Sequence, residues 1–372
     1  MNLAFLHDKW GMEMNATRKR ARVFMMLTFC ALLIACTQPG GDIGSLQDEF
    51  DEFEVAIGFP RDKAAVGRST INDDAYVEKV YVKVYNSSNE HLPAVDNTGS
   101  EISGATKLTK SGSTWSATVK LVSPVSGTIT FELWAVTSWG MTLYAGETSH
   151  TVGSNGNSIT IPTQAASAIR SAGPAGGYIF YDKGSYSDGW RFMEAAPYGW
   201  YDGAGDSRGS YTGDEDPFFQ WGANYYGVVP SAAATAVGTG ETNTANIVNY
   251  HNSLGTLYPE KGDYYTYPGN YFSSNDGTVA AKVCADYSLV HGGVTYSDWF
   301  LPSKDELNLM WNNLKNQSPS LGGFHNDYYW SSSENGNSWV WSQVFWAGDG
   351  DGFQCHDNRR PGDFSVRPVR SF

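Results

Sequence analysis

The sequence predicts a mainly β chain: an immunoglobulin-like β-sandwich over residues 54–164, followed by an α+β domain over residues 170–372. Three observations carry this reading. Between about residues 54 and 163 apolar residues alternate with period two in short runs rich in β-branched and aromatic types, the pattern of half-buried strands. Beyond the junction at Thr163 to Ala172 the chain turns richer in Gly, Tyr and Trp and gains three helix signals. Across all 372 residues only 17% are charged, while Gly (41), Tyr (22) and Trp (13) are plentiful, a mixture that suits loop-rich extracytoplasmic strands better than a helical bundle. With 41% hydrophobic residues the chain can bury real cores. Its formal charge of −14 argues against a nucleic-acid partner, because phosphate binding needs a basic surface.

Residues 1–36 read as a lipoprotein signal peptide. Arg18, Lys19, Arg20 and Arg22 form a basic region, and Val23 to Ile34 a short apolar one, the layout of a secretory address. It ends Leu33-Ile34-Ala35-Cys36, which resembles a bacterial lipobox, so Cys36 is the expected lipidation site and a membrane contact through its acyl chains. Residues ahead of Met14 look like an upstream start-codon choice. The alternative, an uncleaved membrane anchor, fits less well because the apolar run is short of the roughly 20 residues a span needs. Five of the 25 Lys/Arg and two of the 39 Asp/Glu precede Cys36, so the processed chain carries −17. Such an acidic surface is held at an anionic membrane by lipid, and stable anchoring takes more than one acyl chain. Thr37 is not the Asp associated with inner-membrane retention, which points to the outer membrane of the cell envelope.

Residues 37–53, polar, acidic and containing Gly40-Gly41, read as a tether. The sandwich follows with runs at Tyr76–Tyr85, Trp115–Leu121, Thr128–Val136, Leu143–Gly146 and Ser158–Ile161, separated by turn signals such as Ser111-Gly112 and Asn155-Gly156. Short strands at this spacing suit an immunoglobulin-like architecture, and a spacer role is expected of it. In the second domain, helices are expected from Thr242 to about Ser253 and from Thr278 to Ser288. The third helix signal is Ser303-Lys304-Asp305-Glu306, a capping box in which the serine and glutamate satisfy free N–H groups reciprocally. Behind it Leu307, Met310, Trp311 and Leu314 share one helical face and read as core. Beyond the signal only Cys284 and Cys355 remain. An extracytoplasmic compartment permits a disulfide between them, but spacing alone does not assign one.

The second domain carries a series of motifs: Gly173-Pro174-Ala175-Gly176-Gly177-Tyr178-Ile179-Phe180-Tyr181, Gly189-Trp190-Arg191-Phe192-Met193-Glu194-Ala195-Ala196-Pro197, Gly238-Thr239-Gly240, and Asp298-Trp299-Phe300-Leu301-Pro302 running into the capping box. Tyr329-Trp330-Ser331-Ser332-Ser333-Glu334, Trp341-Ser342-Gln343-Val344-Phe345 and Val366-Arg367-Pro368-Val369-Arg370 complete it. In this order they resemble the Lcl C-terminal-domain family, a domain of unknown function, over residues 173–372. The resemblance implies a C-type-lectin-like fold of the formylglycine-generating-enzyme type. Such domains are mostly surface binding modules, and the family's namesake is an adhesin for host glycosaminoglycans. Fold alone does not give function.

The residues offer three kinds of site. Calcium-dependent sugar binding needs six to eight converging oxygen ligands. The Glu-Pro-Asn or Gln-Pro-Asp triplet and the Trp-Asn-Asp of C-type lectins are missing, and Asp349-Gly350-Asp351-Gly352 reads as a solvated acidic loop. Glycosaminoglycan binding needs a basic patch, for which Arg359, Arg360, Arg367 and Arg370 are the only cluster near the candidate site. Catalysis of the formylglycine-generating type needs a close cysteine pair. Here Cys284 falls on an expected helix and Cys355 on a loop, while His251, His291, His325 and His356 lack metal-ligand spacing. No enzyme activity, cofactor or metal is therefore expected.

The third site is a variable binding face. Trp341, Gln343, Phe345 and Gly348 form a frame with one strand face inward. Between and after them lie residues without period, including Val340, Val344, Trp346, Asp349, Asp351, Phe353, His356, Asp357, Arg359, Arg360 and Phe364. Apart from Gln354, every residue of 349–365 is reachable from an Asn codon by changing its adenines, the spectrum of diversity-generating retroelements. The expected ligand-binding residues are Trp339, Trp346, Asp349, Asp351, Phe353, His356, Asp357, Arg359, Arg360 and Phe364, with aromatic and Arg anchors of the kind hot spots use. The expected function is a surface-displayed lipoprotein receptor or adhesin for an unknown protein or glycan ligand. A fixed glycan- or matrix-binding adhesin is the alternative, and a formylglycine-generating enzyme the outsider.

Overall fold

The computed structural model describes residues 51–59, 76–95, 102–153, 156–201, 216–222, 228–257, 279–336, 339–346, 352–358 and 363–372. The signal peptide, Cys36 and the tether up to residue 50 lie outside the described residues, as do Gly348, Asp349, Asp351, Arg359 and Arg360. The chain is mainly β, with several sheets and few helices. Among the described residues no helix is long and apolar enough to cross a membrane.

The first domain is built from β1 (Glu52–Ile57), β2 (Lys79–Asn86), β3 (His91–Leu92), β4 (Thr106–Lys107), β5 (Thr109–Ser111), β6 (Thr114–Lys120), β7 (Thr128–Val136), β8 (Thr142–Thr151), β9 (Ser158–Thr160) and β10 (Gln164–Ala165). One sheet runs β5-β6-β1-β9 and the other β10-β8-β7-β2-β3, with β4 also on β2. Period-two burial turns their apolar sides onto one core: Phe53, Val55 and Ile57 from β1, Val80, Val82 and Val84 from β2, and Ile129, Phe131 and Leu133 from β7. β1 begins inside the stretch read as tether. Its Glu52 and Glu54 face solvent while the alternate apolar residues are buried, and it pairs antiparallel with β6 and parallel with β9.

The second domain contains β11 (Tyr178–Ser187), β12 (Trp190–Ala195), β13 (Phe218–Gln220), α1 (Gly240–Leu257), α2 (Ala280–Asp286), β14 (Leu289–His291), β15 (Val294–Tyr296), α3 (Lys304–Met310), β16 (Tyr328–Glu334), β17 (Trp339–Val344), β18 (Gln354–Asn358), β19 (Asp363–Ser365) and β20 (Val369–Ser371). Its main sheet runs β13-β19-β16-β17-β18, and a second runs β11-β12-β20. The Ser303 side chain accepts from the Glu306 N–H and the Glu306 side chain accepts from the Ser303 N–H, so the capping box forms. Leu307, Met310, Trp311 and Leu314 are all buried. The helix widens into a π turn over Trp311–Lys315, closed by the Asn316 N–H on the Trp311 carbonyl at 2.8 Å.

The two domains share apolar packing. Ile179 and Phe192 of the second belong to the core of the first. Tyr76 meets Trp139, Tyr186 and Phe192 with ring centroids 5.8–6.0 Å apart, and Trp139 meets Phe372 at 5.7 Å. Arg170 donates to the carbonyls of Asn313 (2.9 Å) and Pro319 (2.7 Å). The sandwich is thus packed onto the second domain rather than strung ahead of it.

Candidate ligand-binding face

The motif Tyr329 to Glu334 forms the buried strand β16 and fixes the sheet from below. Trp330 Nε1 donates to the Phe219 carbonyl at 2.9 Å, and Trp221 Nε1 to the Ser331 carbonyl at 2.8 Å. Two of the three serines tie the strand to its neighbours. Ser331 Oγ donates to the Trp341 carbonyl, Ser333 Oγ to the Ala234 carbonyl, and the Lys304 N–H to Ser333 Oγ. These small hydroxyl residues therefore satisfy buried backbone groups that an apolar strand would leave unpaired.

On this base β17 is covered from both sides. On one side lies α3: Gln343 Nε2 donates to Asn308 Oδ1 at 2.9 Å, Gln354 Nε2 to the Lys304 carbonyl at 2.7 Å, and Trp311 meets Phe345 edge-on. On the other, Val340 packs with Trp221, Trp330 and Val366. Val340 and Val344 are both fully buried. That corrects their reading as variable surface positions: a strand covered by a helix on one side and a core on the other is buried on both faces, so alternation does not separate frame from display.

Display begins where α3 stops covering the sheet. The register places Trp341 opposite His356 and Trp339 opposite Asn358. The His356 ring stands edge-on to Trp339 (5.3 Å) and Trp341 (5.8 Å), and Lys304 Nζ lies 4.8 Å over the Trp341 ring. Trp339 is 46% exposed and His356 is exposed. At the other end of the strand Trp346, 42% exposed, stands edge-on to Tyr328 at 5.2 Å. Phe364 stacks on the same Tyr328 at 4.9 Å and packs on Trp330 at 4.2 Å. Phe364 is therefore half-buried support, whereas Phe353 is 49% exposed. Asp357 is half-buried opposite Val340.

The expected residues thus fall into two aromatic groups, Trp339 with His356 and Trp346 with Phe364. Seven residues of extended chain, roughly 23 Å, separate Trp339 from Trp346. Sequence reasoning missed Tyr328, which supports both Trp346 and Phe364, and Lys304, whose ammonium joins the Trp341 ring. Tyr328 stands one residue ahead of the Tyr329–Glu334 motif, and only the fold reveals its partners.

The arginines of the closing motif are internal. Arg367 is buried, with Nε 2.6 Å and Nη2 2.8 Å from the two Asp216 carboxylate oxygens. Arg370 donates to Glu194 at 2.8 Å and, twice, to Asp298. Neither is free to form the basic patch they were considered for. Cys284 and Cys355 are both free thiols. Burial holds the Cys284 thiol well above its usual pKa, and burial also raises Cys355, whose sulfur lies 3.1 Å from Ser342 Oγ.

No family model matches the chain, and no curated protein does. Among solved structures it is similar to a fimbrial protein from Bacteroides ovatus, at 10% identity and a TM-score of 0.31 over 86% of this chain and 71% of that one. A likeness of that size carries no weight for fold or function.

Proposed function

We propose that the chain is a bacterial surface lipoprotein, held by acyl chains on Cys36 in the outer membrane, whose C-terminal domain binds a protein or glycan ligand without catalysing a reaction. The C-type-lectin-like character implied by the Lcl resemblance belongs to the same proposal. The anchor at Cys36 rests on the Leu33-Ile34-Ala35-Cys36 motif, and one observation carries the binding role. Among the described residues, the Trp and Phe side chains that stand exposed are Trp339, Trp346 and Phe353, all on or beside β17 and β18. Exposed large aromatics cost about 25 cal/mol per Å2 left in water, and aromatics left exposed at both ends of one strand and its neighbour are anchors of the kind a binding site uses. Diversification of residues 339–365 is part of the proposal.

The test is an array of extracellular matrix proteins and glycans probed with the full-length chain and with two variants, Trp339→Ala and the double variant Trp346→Ala/Phe353→Ala. Ligand signals are expected to fall at least tenfold in one or both variants at unchanged thermal midpoints. Signals that persist in both remove this face from the proposal.

A further inference from the structure

The outer face of the sandwich sheet carries a groove that the spacer role leaves unexplained. Trp134 of β7 points outward between Tyr81 of β2 and Ala145 of β8, its register partners on either side. On the β2 flank its ring is stacked by Tyr81 at 5.9 Å. On the other flank stand mostly small residues, among them Ala145, Gly146, Ala165 and Ala166, and with Thr142 and Pro162 they bound a cavity of about 670 Å3 that Trp134, Glu132, Glu147 and Gln164 also line. That volume lies within the roughly 300–1,000 Å3 of ligand clefts. Gly146 keeps the wall close: a Cβ there would sit 2.1 Å from the Pro162 carbonyl oxygen.

The charge in the groove is balanced only on its β2 side, where Lys83 faces Glu132 and lies over Trp134. Glu132 and Glu147 are direct cross-strand partners, an arrangement in which like charges repel. Glu132 hydrogen-bonds Tyr85 and faces Lys83 across the β2 register. Glu147 is exposed and has no partner among the described residues. Of the lysines on this face, Lys79 and Lys83 stand on β2 and Lys107 on β4; Lys83 Nζ reaches to 5.8 Å from the Trp134 ring centroid, and all three backbones lie two strands or more, roughly 10 Å, from Glu147. A carboxylate beside an aromatic ring with one open flank is the arrangement that holds an organic cation, through charge and through the ring's negative face. The chain's net charge of −14 would also steer a basic partner toward it.

We propose that this groove is a second binding site, independent of the β17–β18 face, that takes a lysine or arginine side chain from a basic segment of a partner protein. The cation lies against Trp134 between Glu132 and Glu147, and Gln164 offers its amide to the partner's backbone.

The probe is hexalysine, titrated calorimetrically into the full-length chain at low and at physiological salt. Saturable binding is expected that weakens with salt. Trp134→Leu and Glu147→Gln should each weaken it at least fivefold, and Ala145→Arg, which puts a guanidinium into the groove, should abolish it. Glu241→Gln, the same charge change on the exposed first turn of α1, should leave it within twofold. Three results overturn the proposal: no saturable binding, equal losses in Glu147→Gln and Glu241→Gln (a diffuse acidic surface), or Trp134-dependent binding of neutral cellohexaose in place of hexalysine. Should Trp134→Leu fail to fold, Glu147→Gln and Ala145→Arg decide the matter alone.

Discussion

Glu306 Oε1 accepts the Gly238 N–H at 2.7 Å across 68 residues of sequence. The same carboxylate accepts the Gly240 N–H at 3.3 Å and the Ser303 N–H at 2.7 Å, so one buried side chain ties the start of α1 to the start of α3. Each orphaned buried N–H costs about 1–3 kcal/mol. Glu306→Ala should therefore destabilise the domain by at least about 3 kcal/mol, read from denaturant unfolding. Glu306→Gln should cost less, because its remaining oxygen still serves one helix start while its amide nitrogen cannot accept from Ser303.

The pH dependence follows from the same group. Burial raises the Glu306 carboxyl above its usual pKa despite the N–H groups of Ser303, Gly238 and Gly240, and burial does the same to Glu194 despite Arg370. A carboxyl raised in the folded state binds more protons there than when unfolded, so its contribution is fully present below the unfolded pKa and is lost as pH rises through the folded one. Wild type should gain stability relative to Glu306→Gln as pH falls from 7 toward 4.5. Thermal midpoints at pH 4.5, 6 and 7 measure this, and a gap that widens in the opposite direction contradicts it.

The junction between the domains should unfold with them. Phe192 lies in the core of the sandwich while its strand belongs to the second domain. Phe192→Ala should cost about 3–5 kcal/mol. Calorimetry should show one main transition in wild type, separating into two when Phe192 or Trp139 is truncated.

Both thiols should stay free. Intact mass after alkylation under denaturing, non-reducing conditions should show Cys284 and Cys355 modified. In the native state Cys355, half-buried on β18, should react before fully buried Cys284. A disulfide-linked peptide pair would contradict the structure.

Two tryptophans on the same sheet should behave oppositely. Trp330 is fully buried and Trp339 is 46% exposed. Trp330→Ala should cost about 3–5 kcal/mol, whereas Trp339→Ala should stay within about 0.5 kcal/mol, as surface substitutions do.

Much of the fold was legible because its strands alternate cleanly. β7 spans Thr128–Val136 as its pattern predicts, with every second residue buried. The capping box at Ser303 was legible for the same reason, as a local motif with its own chemistry. β1 was missed because its outward residues are acidic and follow an acidic stretch, so composition masked the alternation of Phe53, Val55 and Ile57. The β14–β15 hairpin was missed although Gly292 and Gly293, both with positive φ, form the two-residue turn that primed hairpins favour. At the candidate face, Trp339, Trp346 and Phe353 were legible as aromatics without a period. Val340 and Val344 were not legible as core, since covering β17 from both sides depends on α3, 30 residues upstream, packing against it. The division of the aromatics into two groups is likewise tertiary: it follows from where α3 ends and where Tyr328 stands.

The most direct measurement is deep sequencing of the 3′ end of the gene from many cells of one population, together with its flanking DNA. A diversified binding face predicts substitutions concentrated between codons 339 and 365, matching adenines of a nearby imperfect repeat. They should spare the buried Val340, Gln343, Val344 and Phe345 while altering Trp346, Phe353 and His356. A stretch as invariant as the sandwich, with no repeat beside it, would contradict diversification and leave a fixed adhesin.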